Sequence, residues 1–144
     1  MTRALFRVAL VAALLILPWF TLSAEAQPSA GNRACTFQST ATAVGNGTAC
    51  EVLGYTVLAV QVSGTVAGTL VPEGSMDGTN YTSLYCMSVP SLQIGIGQFT
   101  VIGTYWCKIP GYRLARVRVG SAGGTTSVSA SGQAYMGSFA TNWP

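Results

Sequence analysis

The stretch Tyr55–Tyr85, YTVLAVQVSGTVAGTLVPEGSMDGTNYTSLY, decides the fold. Leu58, Val60 and Val62 fall at alternate positions in a run rich in β-branched valine. That is the period of a strand with one face on a core. Ser63-Gly64 and Ala67-Gly68 interrupt the pattern where a bend or bulge would sit. A second run, Thr69 to Ser75, leads into Met76-Asp77-Gly78-Thr79-Asn80. Asp-Gly suits a tight hairpin, because glycine accepts positive φ and the Asp carboxylate bonds nearby backbone. Tyr81 to Tyr85 then returns as the partner strand.

Strand-like segments continue on both sides. Ala34 to Val44 reads as a first strand, with Cys35, Phe37 and Ser39 on one face. Gly45-Asn46-Gly47-Thr48 reads as a turn and Ala49 to Leu53 as a short strand. Met87 to Gly97, interrupted by Pro90 and two glycines, reads as a crossing loop, and Gln98 to Ile102 as a strand. In Thr104 to Ile109 the alternation sets Tyr105, Cys107 and Ile109 against Trp106 and Lys108. Tyr112 to Val119 turns Val117 and Val119 inward and Arg116 and Arg118 outward. Thr126 to Ala134 sets Val128, Ala130, Gly132 and Ala134 against Ser127, Ser129, Ser131 and Gln133. No window sustains a 3.6-residue period. About eight strands separated by Gly, Pro or Asp-Gly turns predict an all-β chain, an antiparallel β-sandwich of jelly-roll-like topology.

The N-terminus has a different character. Arg3 and Arg7 precede an apolar run from Val8 to Leu17, Pro18 ends it, and Ala24-Glu25-Ala26 supplies a small-residue cleavage site. This order predicts a secretory signal peptide over residues 1–26. A retained membrane anchor is the alternative, but it needs about 20 apolar residues. Residues 27–33 form a polar lead-in, and residues 34–144 the sandwich domain. Removing 26 of the 144 residues leaves 118, enough for one core. Beyond the cleavage site five basic side chains face three acidic ones, a net +2. That is too little and too dispersed for a nucleic-acid surface. After cleavage no segment for stable membrane insertion is expected.

All four cysteines, Cys35, Cys50, Cys86 and Cys107, follow the cleavage site. An even count in an exported chain reads as two disulfides. Of the three pairings, Cys35–Cys50 and Cys86–Cys107 join consecutive strand-like segments, each stabilising by about 3 kcal/mol through loop closure. With no histidine and no C-x-x-C, zinc is disfavoured.

Catalysis lacks its usual groups. Without histidine, Ser-His and Cys-His pairs cannot form. Glycoside hydrolysis needs two carboxylates facing one bond, and the three here are Glu51, Glu73 and Asp77, of which Glu73 and Asp77 flank the hairpin. Asp77 and Asn80 offer oxygens for calcium, yet a turn explains both residues, and no metal or cofactor is expected. The candidate ligand-binding residues are Trp106, Tyr81, Asp77 and Asn80. Flat aromatic rings match the apolar faces of sugars, although aromatic residues in strands more often form cross-strand pairs. Arg116 and Arg118 read as a solvated outer strand face.

Several of these stretches together, AVGNGTA, LAVQVSGTVAGTLVPEGSMDGTNYTSL, IPGYRLARVRV and Gly-Gly-Thr-Thr into SVSASGQA, span Thr42 to Ala134. They resemble a small β-sandwich domain of virion-associated proteins of tailed phages, used in head decoration, fibres or tail accessories. The resemblance implies a sandwich with no enzymatic activity and no catalytic residue. The signal peptide and the cysteines depart from that family and direct the fold outside the cytosol. The expected function is a secreted structural or adhesive interaction module that binds a protein partner or assembles with itself. The alternative is a lectin-like carbohydrate-binding domain recognising a surface glycan.

Overall fold

The computed structural model describes residues 31–89, 91 and 93–136. The expected signal peptide and the aromatic tail residues Phe139 and Trp143 lie outside the described residues.

Among the described residues ten strands form two antiparallel sheets: β1 (Arg33–Ala41), β2 (Cys50–Glu51), β3 (Val57–Thr65), β4 (Gly68–Ser75), β5 (Thr82–Ser83), β6 (Cys86–Ser88), β7 (Ile94–Ile96), β8 (Gly103–Lys108), β9 (Leu114–Ala122) and β10 (Ser127–Tyr135). The larger sheet has the order β1-β10-β3-β8-β6-β7 and the smaller one β2-β9-β4-β5. Early strands lie beside late ones in both sheets, the interleaving expected of a jelly roll. The expected all-β antiparallel sandwich is present. Met87 to Gly97, expected as a crossing loop, instead contributes to a hairpin, β6–β7.

Alternation builds the core as the sequence implies. Leu58, Val60 and Val62 of β3, Val117 and Val119 of β9, and Val128, Ala130 and Ala134 of β10 are all buried. Tyr105, Cys107 and Ile109 join them, while Trp106 and Lys108 face out. Both disulfides form as expected, Cys35–Cys50 joining β1 to β2 across the two sheets and Cys86–Cys107 joining β6 to β8 within one.

Three local readings are corrected. Gln98 to Ile102 is not a strand: only Phe99 pairs, through a double hydrogen bond with Leu70 of the opposite sheet. Its fully buried ring stacks on Tyr105 at 3.8 Å between centroids, so the segment plugs one end of the sandwich. Ser39 does not share the inward face of Cys35 and Phe37, because the register of β1 slips after Thr36 and again after Gln38. Thr40, at φ 47°, belongs to this irregularity, and Ser39 is exposed. Gly45 to Thr48 is more than a turn. Gly45 exchanges two backbone hydrogen bonds with Val119, and Thr48 N donates to Phe37 O at 2.9 Å. This segment ties β1 to β9. A side chain at Gly47 would collide with the carbonyl oxygens of Val117 and Phe37.

Pro72 sits mid-strand in β4, opposite Val117. Leu84 N donates to Pro72 O at 2.8 Å, so the carbonyl faces the β5 side. A strand residue's nitrogen points to the same side as its carbonyl, so the absent N–H takes nothing from the β4–β9 ladder. It limits β5 to two residues, after which the chain crosses to the larger sheet at Cys86.

Candidate functional site

The four candidate residues do not form one site. Tyr81, Asp77 and Asn80 gather beside the smaller sheet, whereas Trp106 stands on the outer face of the larger one.

On the smaller sheet, β9 carries Arg116 and Arg118 two residues apart on its outward face, and the register places Glu73 of β4 opposite Arg116. One carboxylate therefore lies between two guanidinium groups. Arg116 Nε donates to Glu73 Oε2 and Arg118 Nε to Glu73 Oε1, each at 2.8 Å. Glu73 is only 6% exposed. Burial by itself raises its pKa, but the hydrogen bonds from Arg118 and Arg116, with their charges, outweigh that and hold it below the usual carboxylate range. The ring of Tyr81 lies 3.6 Å from the Arg116 guanidinium carbon, a cation–π stack. Arg116 and Arg118 are thus ion-paired rather than merely solvated, and one ring face of Tyr81 is occupied.

The Asp77 loop is equally self-contained. Asp77 Oδ1 accepts from the backbone N–H groups of Asn80 and Thr79, both at 2.8 Å, and from Ser75 Oγ at 2.9 Å; Oδ2 accepts from Asn80 Nδ2 at 2.6 Å. Gly78, at φ 82°, supplies the backbone turn expected of Asp-Gly. Led by the two backbone donors, these bonds hold the Asp77 carboxyl far below the usual range although it is exposed. Four donors aimed at a carboxylate are the opposite of a cation site. Glu73 and Asp77 are each engaged by their own partners, so they do not face one bond as a carboxylate pair. A depression of about 240 Å³ beside the loop is lined by Met76, Thr82 and Tyr112.

The outer face of the larger sheet is built differently. Two transverse rows follow from the register: Ala34, Gln133, Ala59 and Trp106 in one, and Thr36, Ser131, Gln61 and Thr104 in the next. A broad, shallow trough of about 380 Å³ lies along them, closed at one corner by Tyr135. Thr104 Oγ1 donates to Gln61 Oε1 at 2.6 Å, and Tyr135 OH to Gln133 Oε1 at 2.7 Å. Trp106 is 38% exposed at the trough's end, between Ala59 and Met87 in the register.

Alternation alone turns Trp106 outward and sets the serines and Gln133 together on one face, but it does not join β10 to β3 and β8. The missing signal is long-range: Gln61 and Thr104 are 43 residues apart and meet only through strand pairing. The clamp on Glu73 has a weak local signature, two arginines at i and i+2 on a strand, which leaves room for one anion between them.

No family model matches the chain, and no curated protein matches it at a significant level. Among solved structures, the SPBc2 prophage-derived protein YomS superimposes with a TM-score of 0.64 at 22% identity, covering 72% of this chain and 92% of that one. The PBSX exported protein XepA superimposes with a TM-score of 0.66 at 18% identity, covering 72% of this chain but 37% of that one. At these identities the likeness is one of fold.

Proposed function

We propose that this protein is an exported, non-enzymatic jelly-roll module of the kind carried by prophages, acting as a structural or adhesive interaction domain. One observation carries the non-enzymatic reading: Glu73 and Asp77 are both committed to internal bonds, Glu73 to two arginines and Asp77 to four donors. A general acid or nucleophile needs a free carboxyl group beside the reacting bond. Export is supported by the leader-like N-terminus and by two disulfides, which persist in oxidising compartments. The prophage relation is supported by the shared fold and by the sequence resemblance, which point the same way.

The sheet edges constrain how such a module engages a partner or another copy. β2 and β5 are two residues long and β7 three, and the long edge strand β1 is bonded from outside at Phe37, by Thr48 N. Edge-to-edge strand addition is therefore blunted at the three short edges, and contacts there fall to the sheet faces and end loops. The test is expression of the full chain in an export-competent host, then thiol titration and light scattering of the exported form across concentrations. Oxidised cysteines, cleavage near Ala26 and inertness towards a broad hydrolase panel are expected. Four free thiols in exported material, or turnover of any substrate, would overturn the reading. A strictly monomeric species removes self-assembly and leaves a heterologous partner.

A further inference from the structure

We infer that the outer face of the six-stranded sheet is a binding site for a neutral oligosaccharide, with Trp106 as the stacking platform and the Gln61 and Gln133 amides as the main polar contacts. The inference rests on the interaction-module reading and gives that module a ligand class.

Charge on this face favours a neutral ligand. The trough is walled by Thr36, Gln61, Thr104, Ser131, Gln133 and Tyr135, and among the described residues the Tyr135 phenol is the one ionisable group in its lining. Soluble proteins ordinarily mix charges of both signs over such a surface. Here Glu73, Arg116 and Arg118 lie on the other sheet, and Lys108 stands at the margin of this face, beyond Trp106. A nucleic acid or acidic polymer would find no basic stripe along the trough. Neutral amides and hydroxyls cost less to desolvate than charges and offer donors and acceptors together, which suits a polyol.

The relief of the face favours an extended one. Within one row, Ala34 and Ala59 flank Gln133, and Ala59 separates Gln133 from Trp106. Small side chains between long ones form the floor, so the trough is a product of the register. It crosses β1, β10, β3 and β8, three strand spacings or about 14 Å, which suits a short chain of sugars better than a single one. A bound protein segment would want apolar pockets, and the two alanines of the floor supply none.

The polar groups are also preorganised. The Gln61 amide is tied to Thr104 and the Gln133 amide to Tyr135. Two flexible amides are thus held before any ligand arrives, which lowers the ordering cost of binding. Trp106, two residues from Thr104 on the same face, presents a partly open indole at the end of the row, where the C–H face of a pyranose would stack.

The test applies the oxidised, exported chain to an array of neutral gluco-, manno-, galacto- and N-acetylglucosamine trisaccharides, with sialylated and sulfated sugars beside them. Calorimetry on the best binder follows. At least one neutral trisaccharide is expected to bind, and Trp106→Ala to weaken it about tenfold through loss of one ring contact. Gln133→Ala should weaken it about threefold or more, and Tyr81→Ala, on the opposite sheet, should leave it unchanged. Circular dichroism of each variant separates lost binding from lost fold, and Gln133→Ala carries the test if Trp106→Ala fails to fold. No neutral sugar bound, binding of acidic sugars alone, or binding indifferent to both trough variants would overturn the site. Cleavage of a bound sugar would overturn the non-enzymatic reading and leave the site standing.

Discussion

The two outer faces of the sandwich are built from opposite chemistry. On the four-stranded sheet Glu73 is buried between Arg116 and Arg118, with Tyr81 stacked on Arg116. On the six-stranded sheet Gln61, Thr104, Ser131 and Gln133 line an open trough. Groups on the first face satisfy one another and brace the fold. Those on the second are held in place with bonding capacity to spare. The sequence beyond Ala26 carries eight charged side chains in all, five basic and three acidic. Gathering three of them into one clamp helps leave the trough neutral, and under the proposed reading that division separates stability from recognition.

The largest expected effect lies in the clamp. Glu73→Ala leaves two arginines facing each other over a buried gap and should cost about 3 kcal/mol in urea denaturation, the range for breaking a buried ion pair. Replacing Cys35 and Cys50 together removes the covalent link between the sheets and should cost about 3 kcal/mol, by the loop-closure argument. Tyr81→Ala should cost about 1 kcal/mol, the value of a partly exposed cation–π contact. On the neutral face, Gln61→Ala and Gln133→Ala should each stay within about 0.5 kcal/mol of wild type. A trough variant as damaging as Glu73→Ala would erase the contrast.

Acid sharpens the same comparison. The folded pKa of Glu73 and of Asp77 is lowered, so each carboxylate stabilises the fold fully above its unfolded value and loses that contribution as pH falls through the folded one. Stability should be flat above about pH 5 and decline below the ordinary values of 4.5 and 3.8. In Glu73→Gln the decline should be shallower, because one linked carboxylate is gone, while Gln133→Ala should follow the wild-type profile. Chemical denaturation across the acid range reads both.

Much of the fold is legible because period-two alternation and turn chemistry are local. Leu58, Val60 and Val62, like Val128, Ala130 and Ala134, announce an inward face by spacing alone, and consecutive cysteines suggest the correct pairing. Phe99 escapes because its burial comes from one double-bonded bridge to Leu70, which leaves no periodic trace. The candidate residues scatter for a similar reason. Asp77 and Asn80 are turn residues bonded to each other within the loop, and Tyr81 is claimed by an arginine 35 positions away in sequence. Of the four, Trp106 alone lies on the trough's face of the sheet, in the row of Ala59 and Gln133, and the amides beside it become visible once β10, β3 and β8 are in register.

The most direct test of this division is a two-dimensional amide NMR titration of the oxidised protein with a mixture of neutral trisaccharides. Shifts confined to the side-chain amides of Gln61 and Gln133, the Trp106 indole and their strands, with Arg116, Arg118 and Tyr81 silent, are the predicted result. An unperturbed spectrum, or shifts centred on the Glu73 clamp, would contradict it.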